Sequence, residues 1–150
     1  MSAFDEHHSN GRRAAASSAE GDAGRSGDPR RTLGSRAEEI CARRLMLHGW
    51  RILDRNWRVR MGEIDIVAMD SSTLVIVEVK AHNSANLAGP TSPALAVGLQ
   101  KQRRLRRLAS AWLITGRNGR AFKELRFDVV GITFAPDGSV ARYEHIRDAF

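Results

Sequence analysis

Residues 62–80 read Gly62-Glu63-Ile64-Asp65-Ile66-Val67-Ala68-Met69-Asp70-Ser71-Ser72-Thr73-Leu74-Val75-Ile76-Val77-Glu78-Val79-Lys80. Two runs rich in β-branched and apolar side chains, Glu63 to Met69 and Thr73 to Lys80, flank a short polar break, which is the pattern of a β-hairpin. Side chains alternate along a strand, so Glu63, Asp65, Val67 and Met69 share one face of the first arm and Ile64, Ile66 and Ala68 the other. On the second arm Leu74, Ile76, Glu78 and Lys80 fall together, opposite the apolar set Val75, Val77 and Val79. A turn symmetric about Ser71 and Ser72 places Asp65 across from Glu78 and Glu63 across from Lys80. The break lacks the glycine that a tight primed turn prefers, so an odd-length loop that shifts the pairing by one residue is the competing register.

In the symmetric register two carboxylates face each other on adjacent strands, which costs roughly 0.2 to 1 kcal/mol unless a cation lies between them. Carboxylate oxygens of this kind suit Mg²⁺ or Mn²⁺, completed by water and phosphate oxygens. Lys80, two residues beyond Glu78, can then stabilise negative charge developing on a phosphate. The ordinary alternative is a cross-strand ion pair between Glu63 and Lys80, with Asp65 or Glu78 facing solvent on a one-sided sheet.

The chain has 150 residues and room for one domain. Residues 1–32 are rich in Ser, Ala, Gly, Arg and Asp and read as a disordered tail, leaving residues 33–150 as the folded unit. Asp5, Glu6, Glu20, Asp22 and Asp28 contradict an acid-poor transit peptide, and no apolar core marks a secretory signal or a membrane span. Cys41 is the single cysteine, so an intramolecular disulfide is excluded and a cytoplasmic setting is expected.

Net charge is +7, and the five acids and five arginines of residues 1–32 cancel, so the excess belongs to the folded unit. Between Val79 and Lys123 there is no acidic residue, while Lys80, Lys101, Arg103, Arg104, Arg106, Arg107, Arg117, Arg120 and Lys123 are basic. Such a field favours a polyanion, most simply DNA or RNA; the alternative is an arginine-rich solvated surface.

In chain order, a first helix is expected from about Ser35 to His48, ended by Gly49, with Ala37, Ile40, Cys41, Leu45 and His48 on its buried face. Glu38 lies within that face, so it either reaches to the edge or points at the cation site. A strand from Arg51 to Val59 leads into the hairpin. A loop from Ala81 to Ser92 follows, then a second helix opened by Ser92-Pro93 and running to about Thr115. Its apolar stripe is Val97, Leu105, Leu108, Ala109 and Trp112. Lys101 falls within the stripe, whereas Arg103 and Arg107 face away. Strands at Leu125 to Phe134 and Val140 to Ile146 complete the chain, with Asp128 among apolar neighbours in either a structural or a supporting role.

The order helix, three strands, helix, strand, with Asp65 on the second strand and Glu78-Val79-Lys80 on the third, resembles the D...(D/E)-x-K nucleases of the restriction-endonuclease-like fold. More closely, the chain is similar to the small bacterial YraN-like family, an uncharacterised family assigned to that fold. The resemblance spans about Leu33 to Phe150 and rests on Gly34 with Glu38, Ile52-Leu53, Asn56-Trp57-Arg58, Gly62-Glu63-Ile64-Asp65, Val77-Glu78-Val79-Lys80, Lys101 with Leu105, Arg126-Phe127-Asp128-Val129-Val130, and Ala149-Phe150. Ala37 and Cys41 replace the family's usual Gly and Ala, and His82 stands where a basic residue is usual.

This resemblance implies an α/β fold with a restriction-endonuclease-like core, a mixed central sheet and a disordered N-terminal tail. By the same resemblance Asp65 and Glu78 are metal ligands, Lys80 is the catalytic lysine and Glu38 is a further acidic member. Glu63, His82 and Asp128 are supporting candidates, with His82 sharing a face with Lys80 only if the strand continues that far. From the charge of the second helix, and not from the resemblance, Lys101, Arg103, Arg104 and Arg107 are the expected nucleic-acid contacts, with a snorkelling stem the ordinary reading of Lys101. Two functions compete: a Mg²⁺- or Mn²⁺-dependent phosphodiesterase acting on DNA or RNA, and a nucleic-acid-binding accessory protein that turns nothing over.

Overall fold

The hairpin takes the symmetric register. In the computed structural model, which describes residues 29–84, 97–116 and 121–150, β2 (Gly62–Asp70) and β3 (Thr73–Asn83) pair antiparallel. Ile66 lies opposite Val77, Val67 opposite Ile76 and Asp70 opposite Thr73. Ser71 supplies the left-handed turn residue at φ 55° in place of the missing glycine. The substitution strains the turn by about 1 kcal/mol without shifting the register.

Around this hairpin β1 (Arg51–Val59), β4 (Glu124–Phe134) and β5 (Val140–Ile146) complete a five-stranded sheet in the order β1-β2-β3-β4-β5. β3 and β4 are parallel and every other pair is antiparallel, so the sheet is mixed as expected. Parallel neighbours need a crossover, and α2 (Leu99–Ile114) lies between them in the chain. β3 extends past Lys80, and Ala81, His82 and Asn83, expected in a loop, pair with Ile132, Thr133 and Phe134. The remainder of that loop from residue 85, including Ser92-Pro93, lies outside the described residues. α2 as described opens after Gly98, with no side-chain cap.

Alternation sorts the sheet's side chains into two cores. Val67, Met69, Leu74 and Ile76 pack with Val97, Leu105, Leu108, Ala109 and Trp112, the expected stripe of α2. Ile66, Ala68, Val75, Val77, Val130, Ile132 and Phe134 pack with Ala37, Cys41, Ala42 and Leu45 of α1 (Pro29–Leu47). One helix therefore covers each face, which lets β2 and β3 be apolar on both.

α1 begins at Pro29 rather than Ser35, so residues 29–32, expected in the tail, are helical; residues 1–28 lie outside the described residues. A proline in the first turn leaves no helical hydrogen bond unmade. At the other end His48 is exposed, contrary to the expected buried face. Gly49 at φ +83° reverses the chain, Gly49 N–H donates to the Met46 carbonyl and Trp50 N–H to that of Leu45. This closing motif turns Trp50 into the core in place of His48. No helix among the described residues is long and apolar enough to cross a membrane.

Asp128 is fully buried and makes its bonds within β4, β5 and the segment that follows. Arg126 donates to both its oxygens (2.8 and 3.1 Å), His145 approaches Oδ2 at 2.8 Å, and Asp148 N–H donates to Oδ1 at 3.0 Å. Burial pushes this carboxyl up, but the bonds from His145, Arg126 and the Asp148 backbone together outweigh burial and hold it below the ordinary value. Asp128→Ala leaves Arg126 with Asp70 as its remaining carboxylate partner, takes the acceptor from His145 and the Asp148 N–H, and is expected to cost about 3 kcal/mol, read as a lower urea midpoint.

Candidate functional site

The alternation of β2 fails at one residue, Asp65. Ile64 packs in the α2-side core although Ile66, two residues on, packs on the α1 side. On the neighbouring strand Arg55 pairs with Ile66 and Trp57 with Ile64, and the intervening Asn56 has φ 51°. Asparagine is the residue type, after glycine, that most readily takes this left-handed backbone, so the kink at Asn56 turns the strands over opposite Asp65. On the other side the pairing of β2 with β3 ends at Ile66 and Val77. The strands part there, and Asp65 Oδ2 accepts the Val79 N–H at 2.8 Å, taking the place of a backbone acceptor.

Glu78 stands beside the gap on the α2 side. Both carboxylates are buried, Asp65 at 8% exposure and Glu78 at 3%. Glu78 Oε1 receives Lys80 Nζ at 2.7 Å and lies 3.2 Å from Lys101 Nζ. Glu78 Oε2 is buried and has no hydrogen-bond partner among the described residues. Burial first, and the Glu78 charge second, push the Asp65 carboxyl up to about 7. Glu38, half-buried on α1, adds to that push, while the Val79 hydrogen bond and Lys101 oppose it.

Asp65, Glu78, Lys80 and Lys101 are thus brought together, with Glu38 acting on Asp65 through its charge. Glu63 is not paired with Lys80. Its Oε2 lies 2.7 Å from Arg58 Nε across β1 and β2, half exposed, because the parting strands carry it away from β3. His82 extends the face of Glu78 and Lys80, since β3 does continue that far, but takes no part in their ion pairs. Arg103, Arg104 and Arg107 are all exposed. Arg104 joins Lys101, Arg58, Gly62 and Glu63 around an open groove of about 290 Å³, and Arg107 lies with Arg104 and Met61 beside it; Arg103 lines neither groove. Gly62, at φ +144°, lets α2 approach this groove closely, since a β-carbon there would stand 3.3 Å from Arg104 Cδ.

Arg58 and Asn56 escaped the sequence reading as site residues. A signal existed for Asn56, a poor strand former placed mid-strand beside Trp57. For Arg58 there was none, since three arginines punctuate β1 without distinction.

Among the described residues no three His, Cys, Asp or Glu side chains are grouped as a ready metal cage. Asp65 and Glu78 nonetheless fit a hard cation. Mg²⁺ and its like need only one or two protein carboxylates with water and phosphate beyond, and Glu78 Oε2 is a buried oxygen without another partner among the described residues.

Fold and site together define an α/β protein of mixed five-stranded sheet, covered by a helix on each face, with a lysine-flanked carboxylate pair where its central hairpin parts. The chain belongs to the uncharacterised protein family UPF0102, whose model matches residues 37–132. It is 46% identical over 118 residues to a UPF0102 protein of Rhodococcus jostii (strain RHA1), covering 79% of this chain and 95% of that one. A Geobacter metallireducens relative is 45% identical over 120 residues, 80% of this chain and 93% of its own, and a Geobacter sulfurreducens relative 47% over 119 residues, 79% and 88%. All three are UPF0102 proteins.

Proposed function

We propose that this protein binds nucleic acid and carries a Mg²⁺- or Mn²⁺-dependent phosphodiesterase site on a restriction-endonuclease-like core. The observation that carries the reading is the buried Glu78 Oε2, without a hydrogen-bond partner among the described residues, next to a second buried carboxylate on Asp65. Two carboxylates in one gap repel, and a bound divalent cation relieves that repulsion.

Asp65 and Glu78 would hold the cation. When bound, it supplies Lewis-acid stabilisation of a phosphoryl oxygen and activation of water as a nucleophile. The chain's own residues do the rest. Asp65 is fixed by the Val79 N–H, so its charge is aimed without a mobile rotamer. Lys80 and Lys101 converge on Glu78 Oε1 and set two ammonium groups at the mouth of the gap, where an incoming phosphodiester meets positive charge. Arg58, Arg104 and Lys101 border the groove beside it, positioned to take backbone phosphates on either side.

The rival reading, a non-catalytic nucleic-acid-binding accessory protein, is favoured by one feature. Two lysines already balance Glu78, so a fold can keep this arrangement without turnover.

The proposed binding is electrostatic and independent of base sequence, so its affinity for duplex DNA or RNA is expected to fall steeply with salt. Removing Arg104 and Arg107 together should lower the magnitude of the log-affinity against log-salt slope by about 1 to 2. Filter binding across a salt series measures both, and salt-insensitive binding, or none, overturns the reading. Metal-dependent cleavage of any duplex, single-stranded or branched substrate decides for the enzyme; salt-sensitive binding without cleavage decides for the accessory protein.

A further inference from the structure

A second cavity, of about 240 Å³, opens on the α1 side of the sheet between the end of α1 and β5. From Glu38 to Arg44 and His48 is six to ten residues along the chain, or roughly 9 to 15 Å at helical rise, so this cavity is separate from the gap at Asp65. Trp50 and Tyr143 wall it, and Arg44, His48, His145 and Arg147 surround them. Arg44 stacks its guanidinium 4.2 Å from the Tyr143 ring centre and is itself exposed, leaving its outer side to a ligand. Arg147 lies 5.4 Å from the Trp50 ring and 3.6 Å from Asp70 Oδ2, more than half exposed.

Among the described residues no acidic side chain lines the cavity. Asp128 is engaged by Arg126 and His145, Asp70 by Arg126 and Arg147, and Glu144, beside Tyr143 in the chain, by Arg142. Aromatic walls with a cationic rim suit a planar ring that carries negative charge. The volume lies below the roughly 300 to 1,000 Å³ of sites for larger organic ligands, which limits the occupant to one small unit.

We infer that this cavity binds a single nucleotide, either free or at the end of a strand, with its base against the Arg44–Tyr143 stack and its phosphate drawn to the arginine rim. Bases stack on guanidinium planes as readily as on aromatic rings, and arginine is the preferred phosphate partner. The inference stands independently of the cation site, because it shares no residue with it.

Adenosine monophosphate is the probe, followed by the histidine ring signals in NMR. Those of His48 and His145 should shift on titration, while His82, on the Glu78 face, should not. Arg44→Gln, and Arg44→Gln with Arg147→Gln, should weaken binding about tenfold or more while the protein stays folded, with a melting temperature lowered by only about a few degrees for the lost ring contacts. Adenosine alone and inorganic phosphate alone should each bind about tenfold more weakly than the nucleotide. A 5′-phosphorylated oligonucleotide that displaces the nucleotide assigns the site to strand ends, and one that does not assigns it to free nucleotide; either supports the site. Unmoved His48 and His145 signals, equal binding of phosphate alone, unweakened binding in Arg44→Gln, or displacement by an acidic peptide at equal affinity would overturn it.

Discussion

Asp65→Asn is expected to lower metal-dependent phosphodiester cleavage by roughly 100- to 1,000-fold while leaving the protein folded. The substitution removes a charge but keeps an oxygen in place to accept the Val79 N–H, so the parted strands retain their bond. What goes is one of the two carboxylates available to a divalent cation. Losing several kcal/mol of charge stabilisation, at about 1.4 kcal/mol per factor of ten, gives that range. Glu78→Gln should have a comparable effect on cleavage for a different local reason. Lys80 and Lys101 then lose their shared carboxylate and face each other uncompensated, so this variant should also lose stability. Nucleic-acid binding without metal should persist in Asp65→Asn, or tighten, because a negative charge near the phosphates has gone. A nuclease assay beside metal-free filter binding reads both. Full activity in Asp65→Asn, or cleavage and metal-free binding lost together, would contradict the assignment.

The second large effect is a pH dependence of stability that reverses with metal. The Asp65 carboxyl is raised from 3.8 to about 7, first by burial and then by Glu78. A raised acid binds its proton more tightly in the folded state. Its contribution to stability is therefore fully present below about pH 4 and is lost as pH rises through about 7. The apo protein should lose on the order of a few kcal/mol from this group over that window, about 2 to 4 °C of melting temperature per kcal/mol in a chain of this size. Mn²⁺ competes with the proton for the same oxygens. At pH 8 a concentration near 100 times its dissociation constant should restore about 2.7 kcal/mol, and at pH 5 far less. The difference between the wild type and Asp65→Asn isolates the group from every other titration. Melting curves at pH 5 and 8, with and without Mn²⁺, check it; equal metal stabilisation at both pH values would contradict it.

Much of this site was legible in the sequence because strand geometry is simple. Period-two alternation and the symmetric turn predict that Glu78 and Lys80 share a face and that Asp65 meets Glu78; the pairing keeps that register as far as Ile66 and Val77, one residue short of the two carboxylates, which come together where the strands part. The helical period likewise predicts the α2 stripe, with Lys101 inside it, and Lys101 reaches Glu78.

The reading failed where the backbone leaves its regular path. Alternation would set Glu63 beside Lys80, but the kink at Asn56 and the parting of the strands after Ile66 turn Glu63 outward to Arg58. His48 fits the helical period of α1 and is nevertheless exposed, because Gly49 ends the helix and Trp50 fills the space. Asp128 could not be placed by any pattern. Its partners Arg126, His145 and Asp148 converge only once β4 and β5 pair, and a buried aspartate serving a structure looks, in sequence, like one serving a site.

The central claim is that Asp65 and Glu78 share one divalent cation. Titration of Mn²⁺ into the metal-free protein at pH 8, followed by the paramagnetic resonance of the free ion, measures it without any substrate. One ion per chain should bind in the wild type, and that binding should be lost in both Asp65→Asn and Glu78→Gln. Wild-type uptake of Mn²⁺ by either variant, or none by the unmutated protein, would contradict it.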